Sequence, residues 1–170
     1  MWKMRFSTAE ECEEWLRGRE RTKPDEIPGV HFVRVMYPAK GHEYRFLARW
    51  VSQFLTYRMP VLLWITESGI WPSSENWHLY YKLRQSYADH RLLDEAPGQL
   101  FLDYETEDLA TLLQIALLNG WGGYLLTDAN YVNAFFSHDE YIDFFAREES
   151  SLAELRSAPG TGAPAYGATV

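Results

Sequence analysis

Ser137-His138-Asp139 brings together a nucleophile, a base and an acid, the three residue types of a hydrolase triad. A triad needs them aimed along one hydrogen-bonded line, and three successive residues diverge, so their adjacency argues against acyl transfer. Ser137 and Glu140 also have the spacing of a capping box, which predicts the start of a final helix carrying Tyr141, Phe144 and Phe145 on one side.

Asp103-Tyr104-Glu105-Thr106-Glu107-Asp108 spaces oxygen ligands as the start of a calcium loop does. The sixth position lacks the glycine of the sharp turn, and the twelfth is Gln114, which supplies no bidentate carboxylate. Acids at a helix start are expected from the dipole alone. The histidines, His31, His42, His78, His90 and His138, include no HxxxH pair that would face zinc from one helix. Cys12 lies among Glu10, Glu11, Glu13 and Glu14, whose field raises a thiol pKa and opposes a nucleophilic role. Asp89-His90-Arg91 could hold an acid–base pair, although a helix C-terminal cap accounts for it. Gly120-Trp121-Gly122-Gly123 matches neither phosphate-binding glycine pattern and reads as a C-cap and connector. No cofactor is implied.

The segment Glu67 to Trp77 has the most binding chemistry. Trp64, Glu67, Trp71, Ser73, Ser74, Glu75, Trp77 and His78 combine flat apolar faces with acceptors suited to a sugar, a base or a partner's side chain. Glu67 or His78 would serve as general base in an enzyme. Closure of the core's edge by the tryptophans explains the same residues without a ligand.

The elements that must position these residues follow from periodicity and breakers. Ser7 and Glu10 form a capping box opening a helix over 8–17. Val30–Met36 and Val61–Thr66 read as strands, and the stripe Tyr44, Leu47, Trp50, Val51, Phe54 and Leu55 makes the intervening segment a helix. Strand, helix and strand suggest a parallel βαβ unit. A helix over 75–87, a strand over 99–102 and a helix capped by Thr106 and ended by Gly120 follow. Residues 123–127 and 131–136 form an antiparallel hairpin around Asp128-Ala129-Asn130. The expected fold is α+β with an α/β-like character: a mixed sheet, parallel at the βαβ portion and antiparallel at the C-terminal hairpin, covered by helices. Residues 1–156 form one domain and 157–170 a Gly/Pro/Ala-rich tail too poor in apolar bulk to fold alone.

Of 170 residues, 46% are hydrophobic and 16% aromatic, enough apolar surface to exclude general disorder. A lone cysteine cannot form an internal disulfide, and Val61–Ile65 is too short to span a bilayer, so a reducing, cytoplasmic location away from membranes is expected. The net charge of −8 is uneven. Residues 1–60 hold 11 Lys/Arg and 8 Asp/Glu (+3), whereas 61–170 hold 5 and 16 (−11). No Lys or Arg falls between Arg91 and Arg147, a distribution that repels nucleic acid and attracts a basic protein. The expected role is therefore a noncatalytic acidic protein-binding module of the immunity or adaptor kind, with Asp103, Glu105, Glu107 and Asp108 facing a basic partner and self-association into a homo-oligomer open. The alternative is a small-molecule site or enzyme at Glu67, Trp71, Trp77 and His78.

Overall fold

A computed structural model describes residues 5–19, 23–27, 29–58, 60–69, 77–128 and 132–157. Strands β1 (Arg5–Ser7), β2 (His31–Met36), β3 (Val61–Glu67), β4 (Gly98–Phe101), β5 (Gly122–Thr127), β6 (Asn133–Ser137) and β7 (Tyr141–Ala146) form one sheet in the order β1-β4-β3-β5-β6-β7-β2. Every neighbouring pair is antiparallel. The expected parallel βαβ portion is therefore incorrect. Helix α2 (Tyr44–Thr56) does connect β2 to β3, but β5, β6 and β7 lie between those two strands. β2 and β3 are not sheet neighbours, because β3 pairs instead with β4 and β5.

Side-chain alternation sorts the sheet into two faces. Val33, Val35, Val61, Leu63, Ile65, Phe101, Leu125, Phe136, Ile142 and Phe144 share the main core with α2, α3 (Trp77–Ser86), α4 (Thr106–Leu118) and the short α5 (Ala153–Ser157). On the other face Leu62, Trp64, Tyr124 and Leu126 receive Cys12 and Leu16 of α1 (Ala9–Arg17). Gly98 of β4 admits this helix: a Cβ there would stand 2.1 Å from the Cys12 Sγ. Burial, reinforced by Glu11 and Glu13, pushes the Cys12 thiol up to about 12.

Several local expectations shift. The N-cap of α1 is Thr8 rather than Ser7; its hydroxyl accepts from the Glu11 amide, and Glu11 accepts from the Thr8 amide at 2.7 Å. Residue 105, not Thr106, caps α4, with no side-chain cap bond. The final helix expected from Ser137 is the strand β7: Ser137 to Tyr141 is a hairpin turn, in which the Glu140 amide donates to the Ser137 carbonyl and Glu140 adopts φ +66°. Tyr141, Phe144 and Phe145 thus alternate across a sheet instead of lining a helix. The tail from 158 onward lies outside the described residues, and no helix among those described is long and apolar enough to cross a membrane.

Candidate functional site

Glu67 and His138, 71 residues apart in sequence, meet at 2.7 Å through Oε2 and Nδ1. A bulge brings this about. Ile65 pairs with Gly123 but Glu67 pairs with Gly122, so Thr66 is the extra residue, and Glu67 emerges on the same face as Trp64. Gly122 makes the room: a Cβ there would come within 2.4 Å of Glu67 Oε2. At the next strand over, the β6–β7 turn projects His138 back toward Glu67. Nδ1–H donates to the carboxylate, and Nε2 on the other side of the ring lies 3.6 Å from Asp139 Oδ1. A Glu–His pair of this kind orients a general base. Ser137 does not complete a triad with this pair, because it is buried and its hydroxyl accepts from the Asp139 amide.

The other residues expected at this site disperse. Trp77 is half-buried, stacked on Tyr81 at 5.8 Å and packed against the fully buried Trp121 at 4.9 Å. It belongs to the core edge. His78 is exposed on the first turn of α3, and the imidazole that meets Glu67 is that of His138. Trp71, Ser73, Ser74 and Glu75 lie outside the described residues.

The acids expected to face a partner are also divided. Asp103 is exposed, but Glu105 is buried and accepts from the Leu102 amide at 2.7 Å. Glu107 lies 3.0 Å from Arg49, and Asp108 accepts from the Tyr87 hydroxyl at 2.7 Å, which together with burial raises the pKa of that phenol. Further along, Arg19 pairs with Asp128, and Arg34 grips Asp143 with two bonds of 2.7 Å. Arginines of the basic early chain thus neutralise three acids of the late chain. Among the described residues no group of three or more His, Cys, Asp or Glu side chains is placed to hold a metal ion.

Sequence reading missed a concavity beside α2. Trp50, Gln53, Phe54, Tyr57 and Arg58 of α2 and its C-terminal turn, with Ser151 and Glu154, line a groove of about 480 Å³. The reason is a second apolar stripe. Ala48, Val51 and Leu55 face the core, while Phe46, Trp50 and Tyr57 run along the outer side of the same helix. Trp50 and Phe54 stack at 6.2 Å and meet Phe144 edge-on, Arg58 covers the Phe54 ring, and Tyr57 is 93% exposed. The Arg58 guanidinium donates to the Phe54 carbonyl, and burial lowers its pKa against the opposing pull of Glu154. Spacing of Phe46, Trp50, Gln53 and Tyr57 by three and four residues was the available signal. No protein-family model matches this chain, and neither a curated protein nor a solved structure does.

Proposed function

We propose that this chain is a noncatalytic protein-binding module, of the immunity or adaptor kind, whose partner is a basic protein seated on the α2 groove. The observation that carries the reading is the aromatic lining of that groove, with Tyr57 almost wholly in water. Rigid rings with one exposed face supply most of the affinity in protein contacts, since burying them costs few rotamers. A net charge of −8 favours the approach of a cationic partner to the molecule as a whole, even though arginines already neutralise part of the acidic surface and Arg58 lines the groove.

Selection of binders from a displayed random-peptide library tests this. Peptides rich in Lys, Arg and apolar residues are expected, with binding weakened at high salt and abolished by Trp50→Ala together with Tyr57→Ala. Enriched peptides indifferent to both changes would remove the proposal.

A second reading, a small-molecule or catalytic site at Glu67, is favoured by the Glu67–His138 pair alone. It expects a metabolite whose binding perturbs the His138 ring resonances and is lost in His138→Gln. Ring signals unmoved across a broad metabolite panel would count against it.

A further inference from the structure

We propose that a second copy of this chain adds to the outer edge of β2, joining the two seven-stranded sheets across a twofold axis at Val33.

The backbone of β2 is half used. The Tyr37 amide donates to the Glu140 carbonyl, which makes that pair a bonded rung of the ladder with β7. Rungs alternate in an antiparallel pair, so His31, Val33 and Val35 also bond inward, and the amides and carbonyls of Phe32, Arg34 and Met36 point away from the sheet. β2 ends the strand order, and among the described residues nothing bonds to those outward groups. An edge left open in this way is a template for another strand.

Its side chains bear on what that strand is. On the sheet face that carries α1, at the edge far from that helix, Phe32 and Met36 are 37% and 49% exposed. Phe32 already touches Phe145 of β7 at 6.2 Å. Between them Arg34 lies over the Tyr141 ring at 3.7 Å and is held bidentate by Asp143, so its charge is cancelled within its own chain. The edge is thus apolar, aromatic and neutral, and a copy of itself complements it.

The sequence selects the register. Pro28 and Pro38 stand five residues to either side of Val33. Proline lacks the amide that a ladder needs. Pairing centred on Val33 places Phe32 opposite Arg34 of the second copy and Val30 opposite its Met36, and both prolines fall beyond the ladder's ends. Centring on Arg34 brings Pro38 against Val30, whose outward amide and carbonyl need partners. Centring on Phe32 or Val35 brings Pro28 or Pro38 against a residue whose amide and carbonyl need partners.

At the axis Val33 meets its own copy as a non-bonded pair, with Cα atoms about 4.5 Å apart, which a disulfide can bridge. Under mild oxidation Val33→Cys is expected to give a covalent dimer, whereas the exposed Met36→Cys stays monomeric. Native Cys12 is fully buried and does not interfere. By sedimentation the unmodified chain should dimerise with rising concentration. Phe32→Pro, which removes an outward-pointing amide and the edge ring but no bond to β7, should weaken that association about tenfold or more with an unchanged circular dichroism spectrum. A chain monomeric up to millimolar concentration overturns the proposal, as does a dimer that Phe32→Pro leaves intact or that Val33→Cys fails to link. Capture of an extended foreign peptide by a strictly monomeric chain overturns it equally.

Discussion

Arg84 Nη2 lies 3.0 Å from Asp89 Oδ1, with the arginine fully buried and the aspartate nearly so. The backbone sets up this pair. At the end of α3 the Asp89 amide bonds to the Arg84 carbonyl and the Ala88 amide to the Gln85 carbonyl, a Schellman closure with Ala88 at φ +62°. Such closures usually bring two apolar side chains together; here they are an acid and a base. Arg84 also donates to the Tyr80 hydroxyl and the Ala96 carbonyl, and Arg91 grips Asp89 from the solvent side. The cluster ties α3 to the β4 approach and to β1, whose Phe6 carbonyl accepts from Arg91.

Removing one member strands the others. Asp89→Ala should cost about 3–5 kcal/mol in urea unfolding, because it leaves the Arg84 charge buried without its counterion. Arg84→Met, which removes the charge and keeps volume, should cost less than Arg84→Ala. Equal losses would show that charge and not volume sets the penalty.

The same cluster makes stability depend on acid. Burial works to raise the Asp89 carboxyl, but bonds from Arg91 and Arg84 outweigh it and hold the group below its ordinary value of 3.8. A depressed folded pKa contributes stability that is complete above the unfolded value and disappears as pH falls through the folded one. Unfolding free energy measured downward from pH 5 should therefore fall more steeply in the native chain than in Asp89→Asn. Parallel slopes would refute this.

Among the described residues, two occupy the left-handed region without being glycine, Ala88 and Glu140. Gly120 fills the equivalent place after α4, at φ +61°. Ala88→Gly and Glu140→Gly should each raise stability by about 0.5–1 kcal/mol, while Gly120→Ala lowers it by a similar amount. Thermal melts of the three variants check the signs.

Close approach rather than conformation explains the other critical glycines. Ala at 98 would collide with Cys12 Sγ, so Gly98→Ala should be strongly destabilising, and Cys12→Ala should restore much of the loss in the double variant. At 122 a Cβ meets the movable end of Glu67, but at 123 it meets the Trp64 carbonyl at 2.2 Å and the Ile65 Cα at 2.9 Å. Gly123→Ala should thus cost more than Gly122→Ala. The reverse order would mean that the Glu67–His138 contact carries more stability than the β3–β5 approach.

Helix α4 and strand β3 were legible because each has a strong local signal: leucines at helical spacing ending at Gly120, and an unbroken β-branched and apolar run. The final helix was misread because Ser137 and Glu140 satisfy a capping box as well as a hairpin turn, and only pairing with β2 and β6 favours the turn. The candidate site was half legible. Glu67 could be singled out from its place after a buried strand, whereas its partner His138 comes from a turn 71 residues away and leaves no trace in local spacing.

What the sequence by itself determined was therefore local: where apolar periodicity starts and stops, which residues break it, that a lone cysteine among acids is unreactive, and that charge is divided between the halves. Strand order, the antiparallel sense of the pairs other than the β5–β6 hairpin, the neutralisation of late acids by early arginines and the groove beside α2 were decided only by tertiary structure. Periodicity constrains which face of an element is buried, but not which distant element buries it. That choice depends on packing and ion pairing between segments far apart in the chain, which no window of neighbouring residues contains.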